Sequence, residues 1–314
     1  MQLFSYLSDG QVRSARLIGL LGIDLTLAAQ SYLENHEPPV TWPNRPLTAL
    51  TDLASLGSEG IQLVKNATDW VIQSHHEADN SLQENQMIFE FGQATLLPPI
   101  PRPGKVICIA GNYPSEKQVV KPDYPTIFLK PSSGVVGDQS DILLPDIAQN
   151  VAYEVELAIV IGKRAHNITE AEARSVMAGF TVANDLGDRI LEKRTSQWAT
   201  GKLFDTFTPM GPIMVTSDEF INVGNLKLTT LVNGELMQSG NISQMFFNTY
   251  YLVSYLSTLT TLEPGDVILT GSPKLLGDRP NPDYQLKPGD IVQVEIEKLC
   301  LLTNTIKLES QVVK

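Results

Sequence analysis

Histidine and cysteine are scarce in this chain, with four and two copies among 314 residues. His36 and His166 stand alone, and no histidine has metal-ligand spacing to a cysteine or a second histidine except the adjacent pair His75–His76. That pair reads as a solvated helix end, so a zinc site of the thiol–imidazole kind is excluded. Cys108 and Cys300 lie in the apolar runs "KVICIAG" and "EIEKLCLL" and read as core thiols of a reducing compartment. No block of lysine or arginine stands out: 23 basic residues face 35 acidic ones, for a net charge of −12. Nucleic acid and anionic membrane both require a basic patch, so neither is expected as a partner. No apolar run reaches the roughly 18 residues of a membrane span, and the first residues lack a basic stretch followed by an apolar one. The resulting expectation is a cytoplasmic protein. There is also no G-x-S-x-G elbow, Walker loop or G-x-G-x-x-G turn, and Gly201-Lys202 lacks the glycine-rich approach of a phosphate loop.

What is present is an ordinary globular composition, 42% hydrophobic and 18% charged, long enough for one large domain or two modest ones. The opening residues alternate around Asp9-Gly10 and predict a hairpin. Helical patterns follow in "LTLAAQSYLEN", near Leu47–Leu56 and over Ile61–His75. Four prolines (Pro98, Pro99, Pro101, Pro103) then interrupt any helix or central strand. The expected division is an N-terminal segment over 1–97 and a second region over 98–314. Beyond the prolines, short β-branched runs dominate: "KVICIAG", "PTIFLKP", "YEVELAIVIG", "GFTVAND", "PIMVT", "LKLTTLVNGELMQ", "GDVILTG" and "DIVQVEIEKL". Asn233-Gly234 marks a two-residue hairpin turn. A capping box, Thr169 with Glu172, opens a helix for which Gly179 suits the exit, and a second helix is expected near "NTYYLVSYLSTL". The class is β-rich α+β, without the regular alternation of a doubly wound sheet.

"YEVELAIVIGK" places Glu154 and Glu156 at the mouth of an otherwise apolar strand. Side chains alternate across a strand, so the two acids share a face roughly 7 Å apart, ahead of Ala158 and Val160. By themselves they also fit a solvent-exposed polar strand end. A third acid, Asp185, closes the run "GFTVAND", with the small Thr181 and Ala183 on its face. Three carboxylates without thiol or imidazole suit a hard cation such as Mg²⁺, Mn²⁺ or Ca²⁺, which would offset their mutual repulsion and desolvation.

In order, "ICIAGNY", "PTIFLKP", "YEVELAIVIGK", "FTVAND" with Arg189, a Trp before "GKLFDTFTPMGP", "VNGE" with Gln238, and "PGDVILTGSP" occur between about Lys105 and Thr305. This series resembles the fumarylacetoacetate hydrolase family, particularly its shorter members acting on 2-oxo acids. The resemblance implies a mixed β-sandwich roll, a homodimer, and Mg²⁺ or a similar ion on Glu154, Glu156 and Asp185. It further implies a catalytic Lys202, with Arg189, Thr270 and Lys130 on the side of a small anionic substrate.

The chain departs from the family pattern at three places. Where the family reads N-Y-x-x-H-x-x-E, this sequence has "NYPSEKQV", with Glu116 and Val119 at the His and Glu positions. "NDVSARD" becomes "NDLGDRI", which introduces Asp188 and Ile190, and "TGTPxGVG" becomes "TGSPKLLG" with Leu275. Glu116 lies in a loop of Gly, Pro and charged residues and reads either as a catalytic lid residue that moves protons or as a solvated loop charge. The expected function is metal-dependent turnover of a 2-oxo or 2,4-dioxo acid through an enolate, by C–C hydrolysis, decarboxylation or keto–enol isomerisation. The alternative is a non-catalytic member that binds metal and ligand.

Overall fold

The structure is a computed structural model describing residues 1–36, 50–55, 57–77, 86–115, 119–220, 223–274 and 284–312. The expected N-terminal hairpin forms from β1 (Gln2–Ser8) and β2 (Gln11–Ile18). Asp9 and Gly10 both take positive φ, as a tight two-residue turn with the twist of its strands demands. β3 (Leu21–Asp24), β4 (Ile88–Glu90) and β5 (Thr95–Leu97) complete the N-terminal strands. Helices cover Leu25–Asn35, Leu50–Ser55 and Gly57–Glu77. The first is capped by Asp24, which accepts from the Leu27 amide at 2.8 Å.

Past the prolines come β6 (Val106–Ala110), β7 (Thr126–Lys130), β8 (Val135–Val136), β9 (Asp141–Leu144), β10 (Val151–Ala152) and β11 (Val155–Ile161). They are followed by β12 (Met177–Asn184), β13 (Gly187–Asp188), β14 (Thr208–Pro209) and β15 (Met214–Thr216). The last strands are β16 (Lys227–Val232), β17 (Glu235–Asn241), β18 (Val267–Leu269), β19 (Ile291–Ile296) and β20 (Cys300–Leu308), after which a short helix covers Glu309–Val312. β20 lies outside the runs expected as strands, although it buries Leu302, Asn304 and Ile306 in strict alternation.

Eleven strands make one large sheet in the order β4-β3-β2-β1-β15-β12-β11-β18-β6-β7, with β5 also on β1. Five more form a second sheet, β17-β16-β19-β20-β9. The structure is the expected strand-rich α+β class. The strands before the prolines join the same large sheet as those after them, through the β1–β15 pair.

β11 is buried along its whole length. Val155, Leu157, Ile159 and Ile161 point into a core shared with Leu228, Val294 and Leu302 of the second sheet. Ala158 and Val160 face the opposite side, where Leu25, Leu50, Leu53 and Val64 of the N-terminal helices cover them. The N-terminal segment therefore roofs the face of the sheet that the second sheet leaves open.

The capping-box helix runs over Glu170–Val176 and passes directly into β12. Gly179 does not terminate it. The residue lies inside β12, where a Cβ would sit 2.3 Å from the Val215 carbonyl oxygen of β15. Its lack of a side chain is what permits the close strand approach that continues to Asp185. Gly179→Ala is expected to destabilise the protein by about 1–3 kcal/mol through overpacking. The check is denaturant unfolding monitored by circular dichroism.

Candidate active site

The antiparallel register of β11 and β12 sets Val155 opposite Asn184 and Glu156 opposite Ala183. The Asp185 amide donates to the Glu154 carbonyl at 2.9 Å, and the Glu154 amide donates to Asn184 Oδ1 at 2.9 Å. These contacts join the start of one strand to the end of the other. As a result, one carboxylate oxygen each from Glu154, Glu156 and Asp185 lies within 4.8 Å of the others. They line a cavity of about 250 Å³ whose walls include Gly111, Phe128, Arg189, Glu192, Trp198 and Lys202.

The three acids differ in environment. Burial opposes the charge of Glu154, but Arg189 and Lys202 (2.8 Å from Oε2) outweigh it and its pKa is pushed down to about 2. Glu156 accepts the Gly271 amide at 2.6 Å; burial, then Asp185 and Glu154, push its pKa well above the usual carboxylate range. Asp185 Oδ1 accepts Lys130 at 2.5 Å. Its Oδ2 is buried with no hydrogen bond, although the Lys202 ammonium lies 2.9 Å away outside hydrogen-bonding direction. An oxygen-only donor set, with one carboxylate driven toward its neutral form by burial and by two neighbouring acids, fits a hard divalent cation.

Two expected substrate-side groups line this cavity. Lys202, which reaches in from the short helix Ala199–Lys202, is 97% buried. Burial disfavours its charge, yet Asp185 and Glu154 prevail and hold the ammonium strongly protonated. Arg189 pairs with Glu154 and sits 3.1 Å from Glu192. Lys130 and Thr270 do not line it. Lys130 spends its three protons on Asp185, the Leu186 carbonyl and the Phe207 carbonyl, each of these last two at 2.7 Å. It supports Asp185 from behind. The Thr270 hydroxyl donates to the Leu157 carbonyl at 3.0 Å and is fully buried, while Ser272 reaches the cavity wall instead. Glu116 and Leu275 lie outside the described residues.

Glu192 is a fourth cavity acid absent from the expected set. Its spacing three residues after Arg189 on one helical turn was the available signal. Asp188, one of the departures from the family pattern, has a structural explanation. Its carboxylate accepts the backbone amides of Gln149, Asn150, Ile190 and Leu191 and so fixes the segment that carries Arg189 and Glu192.

The fumarylacetoacetate hydrolase C-terminal family model matches residues 105–307. The chain belongs to the fumarylacetoacetate hydrolase family. It is 46% identical over 219 residues, 68% of this chain and 70% of the relative, to a mitochondrial oxaloacetate tautomerase of Bos taurus. Among solved structures, a fumarylacetoacetate hydrolase of Exiguobacterium antarcticum superposes with a TM-score of 0.75 at 28% identity, covering 98% of this chain and all of that one. A maleylpyruvate hydrolase of Sphingobium, solved with manganese and pyruvate, shares the fold at 23% identity and a TM-score of 0.72, over 98% and 99% of the two chains.

The family relatives correct one expectation. The bovine tautomerase is mitochondrial, so the cytoplasmic assignment is not kept. Acidic composition and two free thiols distinguish a reducing compartment from an oxidising one, not one reducing compartment from another.

Adding Mg²⁺ or Mn²⁺ should raise the melting temperature with concentration, because the ion binds the folded state only. Glu156→Ala should remove most of that rise. The pH dependence follows from the two shifts. Glu156, with its folded pKa raised, contributes stability at low pH that is lost as pH rises through that pKa; the ion-induced rise should therefore grow with pH. Glu154, with its folded pKa lowered to about 2, contributes stability above the usual carboxylate range that disappears as pH falls toward that value. Melting curves between acid and neutral pH, with and without ion, check both signs.

Proposed function

We propose that this enzyme is a divalent-cation-dependent tautomerase of 2-oxo acids, with a four-carbon 2-oxo dicarboxylate of the oxaloacetate type as its substrate. The observation that carries the reading is one cavity holding three convergent carboxylates beside a buried, strongly protonated Lys202 and the Arg189 guanidinium. The bovine relative's activity supports the choice of substrate. So does the sequence "NYPSEKQV", which lacks the water-activating His–Glu pair that hydrolysis employs. Isomerisation needs no activated water.

The reaction moves one proton from the carbon beside the keto group to the keto oxygen, with a C=C bond replacing C=O. A cation on Glu154, Glu156 and Asp185 supplies Lewis acidity that stabilises negative charge on that oxygen. Arg189 binds a substrate carboxylate, a role to which its planar fork is suited. Glu192 takes the proton that leaves the carbon, Lys202 gives one to the developing enolate oxygen, and Lys202 regains its proton from Glu192. Glu192 Oε1, 3.8 Å from the Lys202 ammonium, is the carboxylate positioned to exchange that proton. Phe128 and Trp198, packed edge to face, shield this wall from water.

The homodimer expected from the family is part of the proposal. The exposed Val119, Val120, Tyr124 and Leu129 give the monomer apolar surface to cover. Light scattering of the purified protein should return twice the chain mass.

The test is the rate of enol–keto interconversion of oxaloacetate, followed by ultraviolet absorbance with Mg²⁺ or Mn²⁺. Acceleration that is abolished by chelation is expected. Lys202→Met should lower turnover at least about a hundredfold, the low end for general acid–base catalysis. Cleavage of acylpyruvates faster than isomerisation would replace the reading with a hydrolase. Ligand-dependent stabilisation without turnover would leave a non-catalytic binder.

A further inference from the structure

The short helix Ala199–Lys202 packs against both β13 and the turn Leu191–Arg194, so three chain segments meet behind the cavity. Two buried glycines, Gly187 and Gly201, stand where they meet. Neither has a positive φ, so backbone conformation does not require glycine at either position. What matters is the missing Cβ. One added at Gly201 would lie 2.5 Å from the Asp188 carbonyl oxygen and 2.8 Å from the Glu192 amide nitrogen. Those are backbone atoms, and Gly201 is what allows the segments to pack. One added at Gly187 would overlap Glu192 Oε1 and lie 2.7 and 2.9 Å from Lys202 Cε and Cδ. Its three nearest atoms are all side-chain atoms of residues that line the cavity.

Gly187 cannot retreat from such a clash. It is paired with Ala152 of β10, and four amides hold the carboxylate of Asp188 beside it. Lys202 is also enclosed: its ammonium lies 5.4 Å over the Phe128 ring, 2.8 Å from Glu154 and 2.9 Å from Asp185. The group that can yield is the Glu192 carboxylate. In the structure it is buried, with Oε2 3.1 Å from Arg189 Nη1 and Oε1 3.8 Å from the Lys202 ammonium. A methyl group at position 187 would push it away from Lys202.

We propose that Gly187 is a positioning residue of the active site: its missing side chain is the seat of the Glu192 carboxylate between Arg189 and Lys202. The proposal rests on the tautomerase reading and deepens it, because it assigns the geometry of the Glu192–Lys202 proton exchange to a residue with no functional group. Proton transfer is sensitive to displacements of this size, whereas the three-carboxylate cluster does not touch the seat.

The experiment compares Gly187→Ala, Glu192→Ala and the double variant with the parent. The first readout is the melting temperature without ligand, which does not depend on turnover. Gly187→Ala is expected to lower it in the parent background. In the Glu192→Ala background the same change should leave it unchanged or raise it, because the clash is gone and alanine restricts the unfolded chain more than glycine does. Gly201→Ala, whose Cβ meets backbone, should lower it in both backgrounds. The second readout is oxaloacetate kinetics with saturating Mg²⁺. Gly187→Ala should lower kcat at least about tenfold with KM changed less, and the double variant should be no slower than the worse single one. The rise in melting temperature on adding Mg²⁺ should persist in Gly187→Ala.

If the parent shows no turnover but Glu192→Ala suppresses the melting defect of Gly187→Ala, the seat stands and the catalytic reading fails. If Gly187→Ala is too unstable to assay, folding regained in the double variant supports the seat equally. Additive losses of melting temperature in the double variant, or turnover by Gly187→Ala at the rate of an active parent, would overturn the proposal.

Discussion

The structure turns on a near-balance of buried charge at the open end of the β11–β12 pair. Glu154, Glu156, Asp185 and Glu192 meet Lys130, Arg189 and Lys202 in a space closed to water on most sides. Removing such charges from solvent is costly unless each finds an opposite partner and good geometry. The partners arrive from separate places: Lys130 from β7, Glu154, Glu156 and Asp185 from the adjoining ends of β11 and β12, Glu192 from the turn after β13, and Lys202 from a short helix beyond them. The sheet order β12-β11-β18-β6-β7 is therefore tied across its width by electrostatics as well as by backbone pairing. With all seven groups ionised one negative charge is in excess, and burial and the neighbouring acids relieve it by driving Glu156 toward its neutral form. A cation bound there would offset the same excess with Glu156 ionised.

A site this charged needs a stiff frame, because small displacements would trade ion pairs for unpaired charge. The frame is hydrophobic on both faces. The second sheet packs on one face of β11 and the N-terminal helices pack on the other. The N-terminal segment is consequently part of the support for the site although none of its described residues lines the cavity. Its strands also extend the large sheet through β1 and β15.

The departures from the family pattern fall into two kinds. Asp188 is built in: four backbone amides converge on its carboxylate, which holds the Arg189–Glu192 turn in register with the start of β10. Ile190 is exposed on the same turn and contributes no group to the cavity. The acid that enters the cavity from this turn is instead Glu192, beside Lys202. The titratable groups that line the described site outside the three-carboxylate cluster thus lie on the turn after β13 and on the helix bearing Lys202.

Local pattern was enough for much of this protein. Short β-branched runs bounded by turn residues marked β11 and β12, Asp9-Gly10 and Asn233-Gly234 marked the β1–β2 and β16–β17 hairpins, and Thr169 with Glu172 marked a helix start, because each depends on residues a few positions apart. The trio Glu154, Glu156 and Asp185 was legible for the same reason: two acids share a strand face and the third ends a strand with small neighbours. Pairing across distance was not legible. Gly179 reads as a helix stop in sequence and is a close strand contact in space, a difference made by Val215 of β15. Lys130 and Thr270 carry suitable chemistry but face carbonyls of Leu186, Phe207 and Leu157, which only the packed sheet brings to them. Glu192 became a cavity residue when the helix carrying Lys202 folded back onto its turn. The sequence by itself determined which residues could bear charge at the ends of buried strands, since burial and alternation follow local pattern. Which of those charges face a ligand and which are spent holding one another was decided by tertiary structure, because ion pairing in a buried site depends on contacts between segments far apart in the chain.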